Sequence, residues 1–135
     1  MFQISAKTDY GLLIMLQLAN FSGQVVPLSP LAKRLGVSSP YLSQIAQSLQ
    51  KVGLIKSREG AGGGYYLSRP AGKIKVLEIL EALSGEIKVR CAHGNVKACP
   101  HFEECGLKSA WPLLLGDIKN SLAHRSLTSI LVKKL

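Results

Sequence analysis

The three cysteines of this chain, Cys91, Cys99 and Cys105, lie within one short stretch that is rich in polar residues. Seven residues separate the first two cysteines and five separate the last two. Disulfides rarely persist in a reducing cytosol, so clustered thiols there have little structural use. Their thiolates can instead bind metal or iron–sulfur clusters, or undergo reversible oxidation. This stretch is therefore the first candidate for chemistry.

Three interpretations of these thiols remain open from their spacing. Three thiolates on a loop can hold one edge of an iron–sulfur cluster. A thiol switch would instead place Cys99 or Cys91 in a disulfide. Zinc would use the three cysteines with His93 or His101, although the gaps lack the Cys-x-x-Cys knuckles usual for structural zinc. The nearby candidates for the fourth ligand of a cluster are His93, His101, Glu103 and Glu104.

The positive charge of the chain is concentrated in its first part. The 135 residues carry a net charge of +9, from 17 Lys and Arg against 8 Asp and Glu. Residues 1–75 contain nine basic and two acidic side chains, whereas residues 76–135 contain eight and six. A positive excess confined to one part favours a polyanion partner. We therefore divide the chain into a DNA-binding domain (1–75) and a part with the cysteine sensor loop and dimerisation helices (76–135).

The N-terminal residues show neither the charged-then-apolar order nor the cleavage site of a signal peptide. The longest apolar run, residues 12–16, is too short to cross a bilayer. These features predict a cytoplasmic protein without a membrane partner.

Helix punctuation predicts a helix-turn-helix. Residues 9–20 have apolar residues at helical spacing, with Thr8 as a plausible N-cap. Residues 29–36 form a second, short helix, with Ser29 as its cap and a glycine at its end. A third helix starts at Ser39 and stops at Gly53, and two short helices around a glycine-containing turn are typical of this motif.

A glycine-rich hairpin should follow. Residues 54–58 alternate apolar and polar side chains, as expected of a half-exposed strand, and residues 65–67 return as a second strand. The glycine-rich segment between them, residues 59–64, must be a turn. The predicted fold is therefore mainly α with a small β-hairpin, a winged helix-turn-helix.

DNA contacts follow from this arrangement, because short polar side chains near the start of a major-groove helix reach base edges. The candidates for base contacts are Ser38, Ser39, Tyr41, Ser43 and Gln44. The candidates for phosphate contacts are Lys33, Arg34, Lys51, Lys56 and Arg58. Arg58, in the wing, could instead enter the minor groove.

A long helix is expected near the C-terminus. Trp111, Leu115, Ile118 and Leu122 repeat at the spacing of a coiled-coil seam. In a small domain such a seam favours a subunit interface, and a homodimer would read a near-palindromic double-stranded operator.

The order of helices, wing, cysteines and long helix resembles a bacterial regulator family. The family includes the iron–sulfur cluster regulator IscR and the nitric-oxide-sensing repressor NsrR. The residues that carry the resemblance are Ser5, Lys7, Thr8-Asp9-Tyr10, Ala19, Leu31-Ala32, Val37-Ser38, Tyr41-Leu42, Gln44, Leu49, Gly53-Leu54-Ile55, Gly62-Gly63-Gly64-Tyr65 and the three cysteines.

The resemblance implies a transcriptional regulator, expected to be a repressor, with a 2Fe-2S or 4Fe-4S cluster on Cys91, Cys99 and Cys105. It would sense cluster status, nitric oxide or redox state. Lys108 stands where the IscR branch has a histidine ligand, and Asp9 occupies the position from which the NsrR-like branch supplies a carboxylate. Asp9 is thus the implied fourth ligand.

The sequence shows no catalytic constellation, so an enzyme is not expected. Two alternatives to the cluster-based regulator remain. The same fold could act as a thiol-disulfide or zinc-dependent regulator. The chain could also be a small metal-carrier or thiol-redox protein that does not bind DNA specifically.

Overall fold

A computed structural model describes residues 4–88 and 99–131 of the chain. Within these ranges the chain forms five α-helices and a two-stranded antiparallel sheet. The elements are α1 (Ala6–Asn20), α2 (Ser29–Leu35), α3 (Ser39–Lys51), β1 (Ile55–Arg58), β2 (Gly64–Leu67), α4 (Val76–Ser84) and α5 (Leu107–His124). This order is that of the predicted winged helix-turn-helix followed by a long C-terminal helix.

The predicted N-cap of α1 is wrong. Ser5 caps the helix, because its Oγ accepts the backbone N–H of Thr8 at 3.2 Å. Thr8 lies inside the first turn, only 3% exposed, and its hydroxyl contacts other side chains. The helix therefore begins at Ala6 and includes Asp9 in its first turn.

The predicted cap of α2 is also wrong, whereas its end is as expected. Ser29 is the first residue of the helix, and Leu28 at the cap position supplies no side-chain hydrogen bond. Gly36 ends α2 in the left-handed conformation with a φ of 68°. That conformation is strained for residues with a Cβ atom, so glycine suits the turn between α2 and α3.

The hairpin of β1 and β2 pairs Ile55 with Leu67 and Arg58 with Gly64. The loop before α2 extends this small sheet, since Val26 and Tyr65 exchange two backbone hydrogen bonds of 2.8 and 2.9 Å. The Val26 carbonyl lies so close to Gly64 that a Cβ atom there would overlap it. The wing is thus fixed by backbone hydrogen bonds to the loop before α2 as well as by the pairing of its own two strands.

A single core joins the predicted DNA-binding part to residues beyond position 75. Ile14 of α1, Ile45 of α3 and Ile79 of α4 are each at most 1% exposed and belong to the same cluster. Leu127, in the segment after α5, is also fully buried there. The division at residue 75 therefore stays a prediction about function, since the packing is continuous across it.

The segment after α5 returns to the start of α4. The backbone N–H of Leu127 donates to the Ile74 carbonyl at 2.8 Å, and that of Val76 donates to the Arg125 carbonyl at 2.9 Å. These bonds fix one end of α5 to the core, although α5 itself contains no buried residue. Within the described residues, no helix has both the length and the hydropathy needed to cross a bilayer.

Candidate nucleic-acid interface and thiol site

Helix α3 turns one apolar face to the core and leaves its polar face accessible. The buried residues are Leu42, Ile45, Ala46 and Leu49. Of the side chains predicted to contact bases, Ser39, Tyr41 and Gln44 are exposed and Ser43 is half-buried. The structure therefore brings these candidates together on the first half of one helix.

Ser38 has a structural role at the start of the same helix. Its Oγ accepts the backbone N–H of Tyr41 at 3.3 Å and so caps α3. Ser and Thr side chains at this position satisfy a helix donor that would otherwise lack a partner. The hydroxyl hydrogen of Ser38 can still be donated to a base or a phosphate.

The side chains predicted to contact phosphates are all exposed. They are Lys33 and Arg34 in the last turn of α2, Lys51 at the end of α3, and Lys56 and Arg58 in β1. Among residues 4–88 and 99–131 none of the five forms an ion pair. Their charge is therefore available to a polyanion.

Arg34 is oriented by a neighbouring helix, because its Nη2 donates to Oε1 of Gln17 in α1 at 3.2 Å. The wing is oriented by α3, because Nε2 of Gln50 donates to Oγ of Ser57 at 3.0 Å. Successive strand side chains point to opposite faces. Lys56 and Arg58 therefore lie on the face of β1 opposite Ser57.

The described part of the thiol stretch is a compact turn before α5. The backbone N–H of Phe102 donates to the Cys99 carbonyl at 3.1 Å, and that of Lys108 donates to the Cys105 carbonyl at 3.1 Å. Cys99 and Cys105 are free thiols, and both are half-buried. Cys91 and the ligand candidate His93 lie outside the described residues.

Lys108 is engaged by side chains of this turn. Its Nζ lies 3.8 Å from the centroid of the Phe102 ring and 3.5 Å from Oε2 of Glu103. An ammonium group has no lone pair to offer a metal. At the position where the resemblance places a histidine ligand, this chain therefore has a side chain that stabilises the turn by a cation–π contact and an ion pair.

The predicted oxygen ligand Asp9 is exposed in the first turn of α1. Among residues 4–88 and 99–131 no three His, Cys, Asp or Glu side chains form a group able to hold a metal. One chain thus does not assemble Asp9, Cys99 and Cys105 into such a group. Of the other ligand candidates, His101, Glu103 and Glu104 are exposed beside the two thiols.

Helix α5 carries an uncovered apolar face. Of the predicted seam, Trp111 and Ile118 are 43% and 41% exposed, whereas Leu115 and Leu122 are half-buried. Leu107 and Leu114, which sequence reasoning did not include, are 57% and 47% exposed. Positions 107, 111, 114 and 118 fall on one side of a helix, so they form a continuous exposed stripe.

Sequence reasoning missed two ion pairs around α4. The pair of Arg69 and Glu78 crosses the predicted boundary at residue 75, whereas the pair of Glu86 and Lys119 lies within the predicted sensing part. Arg69 donates to the Glu78 carboxylate, and Oε2 of Glu78 accepts the Lys75 backbone N–H at 2.8 Å. An acidic residue at the third position of a helix is the signal that could have revealed this contact. Glu86, just after α4, lies 3.5 Å from Nζ of Lys119 in α5.

Both carboxylates have pKa values below the usual 4.5. Partial burial raises the pKa of Glu78, but hydrogen bonds from Lys75 and Arg69 and the charge of Arg69 together outweigh that effect. For Glu86, the hydrogen bond from Lys88 is the largest cause of the lowered pKa. Both carboxylates therefore favour the ionised, paired form.

A family model described as Rrf2, an iron-dependent transcriptional regulator, matches residues 4–133 of this chain. The chain belongs to the Rrf2 family of transcriptional regulators. The resemblance and the fold class inferred from the sequence are thereby confirmed. Membership also favours the DNA-binding prediction over the metal-carrier alternative.

Relatives within the Rrf2 family cover nearly the whole chain. The transcriptional regulator IscR of Xenorhabdus nematophila is 33% identical over 129 residues, which are 95% of this chain and 78% of the relative. The structure of CymR, described as the global cysteine regulator of B. subtilis, matches with a TM-score of 0.79 and 29% identity, covering 97% of both chains. The structure of T. potens IscR matches with a TM-score of 0.71 and 34% identity, covering 96% of this chain and 86% of that one.

Proposed function

We propose that this Rrf2-family regulator is a homodimeric operator-binding protein whose DNA affinity is set by an iron–sulfur cluster on Cys91, Cys99 and Cys105. The observation that carries this proposal is the position of the thiol turn. Cys105 lies two residues before the first residue of α5, and its carbonyl accepts the backbone N–H of Lys108 within that helix. A change at the thiols therefore acts directly on the start of the helix with the exposed apolar stripe.

The donor set fits a cluster. Cys99 and Cys105 are free, half-buried thiols on one turn, and thiolates are the usual ligands of iron–sulfur clusters. A bound 2Fe-2S or 4Fe-4S cluster would supply a redox-active centre that oxidants and nitric oxide can damage. IscR-named relatives support this assignment.

The exposed stripe of α5 supports the homodimer. Large apolar side chains on one side of an 18-residue helix cost free energy in water unless another surface covers them. A second copy of α5 offers a matching apolar side in a two-fold arrangement. Two copies of α3 would then read two half-sites of a near-palindromic operator.

The dimer also accounts for the separation of Asp9 from Cys99 and Cys105 within one chain. A carboxylate from the partner subunit can complete the ligand set that a single chain leaves incomplete. An exchangeable oxygen ligand suits a sensor, because its loss would release the cluster readily.

The experiment compares cluster-bound and cluster-free protein on the same DNA. An operator is first selected from a randomised duplex library under anaerobic conditions, in parallel with cluster-bound and with cluster-free protein. Its Kd is then measured for both forms by fluorescence anisotropy under anaerobic conditions at one salt concentration, with a scrambled duplex as control. We expect the two forms to differ in operator affinity far more than in affinity for the scrambled duplex. Equal operator affinities would remove the sensing function and leave an unregulated DNA-binding protein.

A thiol-disulfide regulator is the second candidate, and the free state of Cys99 and Cys105 favours it. Half-buried thiols that are not paired with each other can be oxidised reversibly. An anaerobic absorption spectrum with iron and sulfide analysis separates the candidates. A cluster gives visible charge-transfer bands and comparable amounts of iron and sulfide. A disulfide switch gives neither the bands nor the iron and sulfide. A colourless protein with bound zinc would indicate a zinc-dependent regulator.

A further inference from the structure

Two tyrosines from different helices meet beside the predicted DNA-reading surface. The rings of Tyr10 in α1 and Tyr41 in α3 have centroids 6.0 Å apart and planes at 89°. This is the edge-to-face geometry that aromatic pairs favour, because the positive edge of one ring meets the negative face of the other.

The Tyr10 side of this pair is fixed by its neighbours in α1. Thr8, two residues before, is 3% exposed, and its Oγ1 lies 2.9 Å from Ser5 Oγ and 2.7 Å from Ser84 Oγ. Gly11, the next residue, packs so closely on α4 that an added Cβ atom would lie 2.7 Å from Cδ2 of Leu83. Tyr10 itself is half-buried against the core. Its ring therefore projects from a backbone that cannot easily shift.

The Tyr41 side is far less constrained. Tyr41 is the third residue of α3 and remains 37% exposed. Its backbone N–H is held by Ser38 Oγ at 3.3 Å, but that bond leaves the rotamer of the side chain undetermined. An exposed aromatic side chain in the first turn of a recognition helix would sample several rotamers unless a neighbour restricted it.

We infer that Tyr10 is a positioning residue for operator recognition, which holds the ring of Tyr41 in the orientation that meets a base edge. This inference rests on the proposed function, because it gives Tyr41 a contact with DNA. Fixing a side chain before binding lowers the entropy lost on forming the complex. A fixed ring also restricts which base fits at that position, so Tyr10 would act on specificity without touching DNA.

The test is a double-mutant cycle on the full chain with the operator selected by the wild-type protein. The variants are Tyr10→Leu, Tyr41→Leu and the double variant, with Tyr10→Phe as the conservative change. Leu16→Ala, also in α1 and partly buried against the core, is the matched packing control. Kd values for the operator and for a scrambled duplex are measured at one salt concentration, and thermal unfolding identifies any general loss of stability.

We expect Tyr10→Leu to weaken operator binding about three- to tenfold, the range that corresponds to losing one aromatic pair. Binding to the scrambled duplex should change less than about twofold, since phosphate contacts carry it. Tyr10→Phe keeps the ring and should retain wild-type affinity. In the Tyr41→Leu background, Tyr10→Leu should have no further effect, and Leu16→Ala should not alter the ratio of operator to scrambled affinity.

The contrary outcomes are distinct. If Tyr41→Leu weakens operator binding while Tyr10→Leu does not, or if the two effects simply add, the positioning role is overturned and the proposed function stands. If Tyr41→Leu leaves operator affinity unchanged, Tyr41 does not contact a base. The inference about Tyr10 then fails, whereas the proposed function stands. If the wild-type protein selects no operator, the proposed function itself fails.

Discussion

Oγ1 of Thr8 and Oγ of Ser84 lie 2.7 Å apart, although 76 positions separate them in the chain. The contact joins the first turn of α1 to the last residue of α4. Residues from both ends of this link have proposed roles, since Asp9 follows Thr8 and the cysteine stretch follows α4. The relative position of these two helix ends therefore matters to the proposed cluster site, since it affects both the carboxylate ligand and the start of the cysteine stretch.

Thr8→Val should lower the free energy of unfolding by about 1 kcal/mol. Valine keeps the shape of threonine but loses the hydroxyl that contacts Ser84 and Ser5, and a typical hydrogen bond contributes about 0.5–1.5 kcal/mol. Denaturant unfolding measures the change. Ser84→Ala is the control and should cost less, because it leaves the bond between Thr8 and Ser5 intact. Wild-type stability in Thr8→Val would show that this contact contributes nothing.

Glu78→Gln should destabilise the protein at neutral pH but not in acid. The folded-state pKa of Glu78 is lowered, so its stabilisation is complete above the unfolded pKa of about 4.5 and is lost as pH falls through the folded value. Arg69 and Glu78 side chains are 34% and 43% exposed, so screening limits the effect to below about 1 kcal/mol.

Unfolding by denaturant from pH 7 to below pH 4 measures this dependence. Glu81→Gln changes the same charge on the same helix and serves as control, because Glu81 forms no ion pair among the described residues. A difference between Glu78→Gln and wild type that persists unchanged at the lowest pH would contradict the assignment to the ionised carboxylate.

Gln44→Ala should weaken binding to the selected operator by about 1–3 kcal/mol, the value of a good bidentate contact with a base. Gln44 is exposed on the polar face of α3, so its loss should not affect folding. Anisotropy titrations against operator and scrambled duplexes measure the change. Asn120→Ala, at an exposed position of α5 outside the apolar stripe, is the control. Equal loss of affinity for both duplexes would indicate a contact with phosphate instead of a base.

Asp9→Asn should shorten the lifetime of the cluster in air or change its visible spectrum. The amide keeps the size of the carboxylate but removes the charge that makes it a useful ligand. Absorption decay after exposure to oxygen measures the lifetime, and Glu104→Gln, next to the thiols, is the matched control.

The alternative role of Asp9 is to stabilise the N-terminal end of α1, worth about 0.3–1 kcal/mol. A variant with altered thermal stability but an unchanged cluster would assign that role and leave His93, His101, Glu103 and Glu104 as ligand candidates.

The sequence alone determined the elements whose signals are local. Gly36 and Gly53 mark the ends of α2 and α3, since few other residues adopt the left-handed conformation that each one has. The apolar spacing of α3 defined its buried face, and the glycine run defined the wing turn. These features depend on a few neighbouring residues, so they can be inferred without knowing the rest of the fold.

Only the tertiary structure decided which remote residues meet. Ser5 and Thr8 are both plausible caps by residue type, and burial of Thr8 against Ser84 determines that Ser5 takes the role. Leu127 gave no local signal that its segment would return to the core, yet it is fully buried there. The contact of Tyr10 with Tyr41 likewise depends on how α1 packs against α3. Contacts between residues that are distant in sequence form only when the packing of the core brings their helices together. Sequence spacing carries no signal for such contacts.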